Sequence, residues 1–120
     1  PIHVSACRKI DRALLGTGFP YDRRERLDEL FRPLRAALMR SHGVRRAGSA
    51  AIDLCELAAG RLDGFWERGL HPWDLAAGAA IIAAAGGKLS GYDGGAHDLF
   101  AGRTVASNGA LHCAVLDLLA

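Results

Sequence analysis

Two carboxylates seven residues apart, Glu67 and Asp74, and the step Gly48-Ser49-Ala50 are the residues of this chain best suited to chemistry. Carboxylates are hard oxygen ligands, and Mg²⁺ is usually held by one or two of them together with substrate phosphate and water. Asp74 stands in Pro72-Trp73-Asp74, just before an uncharged run from Leu75 to Gly87. Pro suits the first helical position because its missing N–H would have no partner there. An acid in the first turn is favoured by the partial positive charge of the helix N-terminus. Asp74 therefore has two readings, a cap or a metal ligand. Glu67 follows the apolar stretch Leu62–Trp66. It is either a solvated loop acid or a cleft acid beyond a strand end, where open α/β sheets gather their ligands.

Gly48-Ser49-Ala50 opens a second helix. Ser49 is a favoured N-cap residue. The free N–H groups of a first turn also bind anions or polyol hydroxyls. His71 adjoins the Asp74 corner and is either a plain turn residue or a group that tunes it. The sequence suggests no partner for His3, His42, His97 or His112, and no base for Ser49 or Ser107. No Ser–His–Asp arrangement can be assembled. Asp63 and Asp98 read as turn or strand-end acids, and Asp93-Gly94-Gly95 as turn chemistry.

The elements that must position these groups alternate. Ile2–Ser5 predicts a short strand, and Ala13–Thr17 a buried strand ending at a Phe19–Asp22 turn. Residues Arg24 to Arg40 carry Leu27, Leu30, Phe31, Leu34, Leu38 and Met39 at helical spacing, with Pro33 as a candidate kink. Val44–Arg46 predicts a strand, Ser49 to Ala59 a helix stopped by Gly60, and Leu62–Trp66 a strand. Pro72–Ala85 predicts a helix buried on all sides, closed by Gly86-Gly87. Lys88–Tyr92 and Arg103–Ser107 follow as strands, and Ala110–Leu119 as a last helix. Such alternation argues for an α/β layered sandwich, a mixed sheet flanked by helices.

Bulk properties narrow the classes. A chain of 120 residues, half of them hydrophobic, is one globular domain with a modest core. A net charge of +2, with arginines scattered from Arg8 to Arg46, gives no nucleic-acid footprint. Cys7, Cys55 and Cys113 are odd in number and far apart, which predicts reduced, mostly buried thiols in a cytoplasmic protein; Cys55 reads as core. No zinc spacing is present. The longest uncharged run is too short to span a bilayer. The first residue is Pro1 and not Met, and the sequence enters as mid-domain chain, so a piece of a longer protein is expected.

Four segments taken together resemble the inositol monophosphatase family. They are Gly43 to Leu54, Ala58 to Glu67, Gly69 to Gly78 and Ala85-Gly86-Gly87. The W-D-x-A-A-G…A-G-G pattern at Trp73–Gly78 and Ala85–Gly87 is similar to that family's C-terminal signature, and Gly16-Thr17-Gly18-Phe19-Pro20 to its bacterial members. The resemblance implies an α-β-α-β-α fold and a Mg²⁺-dependent phosphomonoesterase acting on inositol monophosphate, usually as a homodimer. By the same resemblance Asp74 binds Mg²⁺ and lies near the substrate, Glu67 binds an inositol hydroxyl, and Gly48, Ser49 and Ala50 contact the ring. Related substrates are fructose-1,6-bisphosphate, histidinol phosphate and a 3′-phosphonucleotide. A non-catalytic binding or dimerisation module is the alternative of a different class. The family's D-P-x-D-G-T motif, which supplies most metal ligands, does not occur here. The expectation is the C-terminal half of such an enzyme, inactive by itself, with the N-terminal metal-binding half missing.

Overall fold

The computed structural model describes residues 1–120. Five strands form one mixed sheet in the order β2-β1-β3-β5-β4: β1 Leu14–Thr17, β2 Gly43–Arg45, β3 Gly64–Arg68, β4 Lys88–Ser90 and β5 Arg103–Ser107. β1 pairs in parallel with both β2 and β3, whereas β3–β5 and β5–β4 are antiparallel. The helices are α1 Leu27–Arg40, α2 Ala50–Ala58, α3 Pro72–Ala84 and α4 His112–Leu119. Side chains alternate across a strand, so one sheet supplies two cores. Phe65 and Ala106 pack under α2 and α3 with Leu54, Leu57, Leu75 and Ile82. Leu15, Trp66 and Val105 pack on the opposite face, toward α1 and α4, with Ala37, Val115 and Leu118. The expected α/β sandwich, a mixed sheet flanked by helices, is therefore present, and no helix is long and apolar enough to cross a membrane.

Capping explains the helix starts. Ser49 accepts a hydrogen bond from the Ile52 N–H at 3.3 Å, and Pro72 fills the first position of α3. α2 and α3 pack closely because Gly78 has no side chain; a Cβ there would stand 2.6 Å from Leu54 Cδ1 and 2.7 Å from its Cβ. Gly78→Ala is expected to cost about 1–2 kcal/mol, since overpacking outweighs the gain in helix propensity. A melt followed by circular dichroism would show the midpoint falling by about 3–6 °C.

Several expectations are corrected. Residues 2–5 form no strand; that segment is tied down by a bond from the Val4 N–H to the Ala85 carbonyl at 3.1 Å. The third strand runs two residues further than predicted, to Arg68, so Glu67 lies inside it opposite Thr104. Pro33 sits within an unbroken α1 and is buried. On α1, Pro33 and Ala37 face the sheet, and Phe31, Leu38 and Met39 of the apolar stripe are 55%, 61% and 71% exposed. α3 is not buried all round, since Ala76, Ala77, Ala80, Ala83 and Ala84 lie open on the side away from α2 and the sheet. The thiols are not mostly buried either. Cys55 and Cys113 are exposed and Cys7 half-buried, Cys55 standing on the outer face of α2.

His112 does have partners. It is 2% exposed, with Nε2 2.7 Å from Ser90 Oγ and Nδ1 2.8 Å from Ser107 Oγ. Ser90 donates to the Gly91 carbonyl, and Ser107 accepts from the Gly109 N–H. Each hydroxyl has one proton, so the ring must carry its own on Nε2 and accept at Nδ1. Burial, aided by the nearby Lys88 charge, holds this imidazole below its ordinary pKa. The trio ties β4, β5 and α4 together and has no opening for a substrate. Asp63 is likewise structural, accepting from Ser5 Oγ at 2.5 Å and from the Leu14 N–H at 2.8 Å.

Candidate functional site

The chain path sets where a ligand can enter. From β1 the chain passes through α1 to β2 on one side, then returns through α2 to β3 on the other side of β1. The crevice between the carboxyl ends of parallel β1 and β3 is thus a topological switch point, the usual ligand position in open α/β sheets. Glu67, two residues after Phe65, shares its face of the sheet and points toward α2 and α3. The first turns of both helices open onto the same crevice.

There they build a cleft of about 400 Å³ lined by Gly48, Ser49, Ala50, Glu67 and Asp74. Residues scattered over 27 positions of sequence thus meet at one place. Ala50 and Ala51, the first two residues of α2, have N–H groups with no intrahelical partner, and both line the cleft. Gly48 turns the chain into α2 with φ +94°, a conformation that L side chains rarely adopt.

The two oxygens of the Asp74 carboxylate differ in their surroundings. Oδ2 accepts the His71 N–H at 3.0 Å, which is a capping bond. Oδ1 has no partner in the chain, leaving one oxygen for a cation or water. His71 itself stacks on Trp73, ring centroids 4.5 Å apart, forming the rim of the cleft. Nowhere do three His, Cys, Asp or Glu side chains gather as a metal cage. What the chain offers a divalent ion is one free carboxylate oxygen from Asp74, with Glu67 in the same cleft. That fits part of a Mg²⁺ shell, which takes few protein carboxylates, but not a complete site for several ions.

Glu67 and Asp53 are the carboxyl groups whose acidity the fold weakens. Burial first, then the Asp53 charge and more weakly that of Asp74, push the Glu67 carboxyl up to about 7, with Arg46 opposing. Gly18, at the end of β1, makes room for it, because a Cβ there would overlap the Glu67 carboxylate. Asp53, 3% exposed, is pushed up to about 6 by burial and by Glu56, again opposed by Arg46. Arg46 lies over the Phe19 ring at 5.9 Å and lines the cleft as the counter-charge to both acids.

Sequence reasoning missed Gly18, Arg46 and Asp53 as members of this site. Asp53 had a signal, being an acid between apolar neighbours four residues after the Ser49 cap, on the same side of α2 as Leu57. Nothing local marks Arg46, one of many arginines. Arranged as it is, the cleft can bind a polyol through the α2 N–H groups and Glu67, and hold a cation-bridged anion beside Asp74.

Comparison with known proteins shows the family. The model of the inositol monophosphatase family matches residues 1–119. An inositol-1-monophosphatase of Synechocystis is 49% identical over the whole chain, which spans 42% of that protein. A Nus factor SuhB of Pseudomonas aeruginosa is 43% identical over 109 residues, 40% of its length. The solved inositol monophosphatase of Anabaena superposes with a TM-score of 0.95 at 44% identity, over 99% of this chain and 47% of that one. The chain thus spans less than half the length of the relatives it matches. Over the part that it spans, in sequence and in fold, it belongs to the inositol monophosphatase family.

Proposed function

We propose that this chain is the C-terminal, substrate-side half of a Mg²⁺-dependent phosphatase that hydrolyses inositol monophosphate. The observation that carries the reading is the meeting of Glu67, Asp74 and the α2 N-terminus in one cleft at the β1/β3 switch point. Bound Mg²⁺ would supply Lewis-acid stabilisation of phosphoryl oxygens and an activated water. Asp74 offers it Oδ1 while Oδ2 stays on the His71 N–H, so the ligand is held by the first turn of α3. Ionised Glu67 accepts a hydrogen bond from a ring hydroxyl, and the Ala50 and Ala51 N–H groups donate to ring oxygens. Arg46 favours the ionised form of Glu67 that this contact needs. The remaining metal ligands belong to an N-terminal half outside this chain, so the fragment alone is inactive. Exposed free thiols suit a reducing compartment.

A homodimer is part of the same proposal. Leu27, Phe31, Leu34 and Leu38 follow a 4-3-4 spacing, the period of a helix–helix seam, on an uncovered face of α1. Asp28 and Arg35 flank the seam, so an antiparallel second copy sets the two charges against each other on both sides.

The test is a phosphatase assay on the full-length protein with inositol 1-phosphate, fructose-1,6-bisphosphate, histidinol phosphate and a 3′-phosphonucleotide. Turnover of the inositol ester that needs Mg²⁺ and stops in EDTA is expected. Preference for another ester would reassign the substrate. Failure on every ester would favour a non-catalytic binding module, a class that the relatives named Nus factor SuhB keep open. Sedimentation of the same preparation reads the dimer; a monomer would give the α1 seam to the N-terminal half.

A further inference from the structure

A second concavity lies at the same strand ends, on the opposite face of the sheet. It measures about 240 Å³ and is lined by Arg32 of α1, Arg68 of β3, Arg103 of β5, Tyr92, Trp66 and Glu29. Arg68 and Arg103 are direct cross-strand partners in the antiparallel β3–β5 ladder. Like charges in that position repel one another, so the pair calls for an anion. Glu29 supplies only part of it. Its carboxylate binds Arg68 and also faces Arg26 at 3.6 Å. Arg32 and Arg103 form no ion pair at all, since every salt bridge in the chain involves Arg26, Arg61 or Arg68. The lining therefore holds three guanidinium groups against one carboxylate.

Tyr92 adds a neutral donor. Its ring is half-buried and its hydroxyl has no hydrogen-bond partner in the chain. Burial raises the phenol well above its ordinary range, although Arg68 and Arg103 pull it down. The proton thus stays on the oxygen, available to an acceptor that the chain does not provide. Guanidinium forks bind tetrahedral oxyanions through paired N–H groups. The volume falls below the roughly 300–1,000 Å³ of sites for drug-sized ligands, which restricts the occupant to something small.

We propose that Arg32, Arg68, Arg103 and Tyr92 form an anion-binding site for a small tetrahedral oxyanion of the phosphate class. The site stands on its own lining and does not depend on the phosphatase reading. Gly18 and Phe19 line both concavities, so the two sites back onto one segment of chain.

Calorimetric titration of the full-length protein with inorganic phosphate tests this, in EDTA and a low-chloride buffer. EDTA removes any cation through which phosphate could bind beside Asp74. Saturable binding with a dissociation constant of about a millimolar or tighter is expected. Arg103→Ala, an exposed residue without an ion-pair partner, should weaken it about tenfold or more, and Arg103→Lys by less. Glu29→Gln should tighten binding by removing the competing carboxylate. Glu67→Gln, on the other face, should leave it unchanged. Absence of saturable binding in the wild type, or equal affinity in Arg103→Ala, would overturn the assignment. Binding lost in Glu67→Gln but kept in Arg103→Ala would put the phosphate in the cleft and overturn it equally. Matching melting curves confirm that each variant is folded.

Discussion

Asp74→Asn in the full-length protein is expected to lower Mg²⁺-dependent turnover about a thousandfold or more while moving the melting midpoint by no more than a few degrees. The asymmetry follows from the two oxygens of one carboxylate. Oδ2 takes the His71 N–H at 3.0 Å, and an asparagine carbonyl accepts the same bond. The lost charge weakens the interaction with the α3 dipole by about 0.3–1 kcal/mol, a shift of a few degrees at most. Oδ1 is different. Metal-assisted charge stabilisation contributes several kcal/mol to a transition state, and each 1.36 kcal/mol is tenfold in rate. Initial rates across a Mg²⁺ titration, read beside a thermal melt, separate the two roles. Undiminished turnover would remove Asp74 from the metal shell. A collapse in stability with turnover per folded molecule intact would make it a cap and nothing else.

Glu67→Gln should make the metal-free protein more stable above neutral pH and a poorer enzyme. Its carboxyl has a folded pKa raised to about 7 from an ordinary 4.5, chiefly by burial. A raised folded value means that the fold prefers the protonated form. That contribution is fully present below the ordinary pKa and is lost as pH rises through about 7. Asp53, raised to about 6, acts with the same sign, while His97 and His112, both held low by burial, act oppositely as pH falls below 6.5. Those groups are common to both proteins, so the difference between wild type and variant isolates Glu67. Melting midpoints should coincide near pH 4 and separate above pH 7 by about 3–6 °C in favour of the variant, a figure already discounted for partial exposure. In return, the loss of a charged acceptor for a ring hydroxyl should reduce kcat/KM about tenfold or more. A gap independent of pH would refute the buried-carboxyl account. An unchanged kcat/KM would take Glu67 out of substrate binding.

The Glu67 effect also explains why the position tolerates an unfavourable ion. Gly18 leaves the space, Arg46 supplies the counter-charge, and the fold forgoes stability in the ionised form, the one proposed to accept a hydroxyl. Strain of this kind is common where a site must recognise a ligand.

Much of this was legible in the chain itself. Helix entrances were, because capping chemistry is local: Ser49 starts α2 and Pro72 starts α3 as the residue types dictate. β1 and β5 were too, as short β-rich runs bounded by Gly and Ser, and β5 falls on its predicted bounds. Since Glu67 and Asp74 flank a single strand-to-helix corner, even their shared cleft could be read from spacing. Burial was the poorer reading. Periodicity says which residues share a helix face and is silent on what covers that face. The α3 helix and the thiol of Cys55 were assigned to core, yet Cys55 and five alanines of α3 lie open, as does most of the apolar stripe of α1.

Sequence alone therefore determined the α/β class, the starts of α2 and α3, and which residues are candidates to bind a polyol and a cation. Only the tertiary structure brought Gly18 against Glu67, set the Arg46 charge near both Asp53 and Glu67, and placed His112 between Ser90 and Ser107. It also paired Arg68 with Arg103 across two strands 35 positions apart in sequence. The physical reason is common to all of them. Local propensities and caps act within a turn or two of chain, whereas the charge state of a buried group is set by neighbours that the sheet brings in from elsewhere.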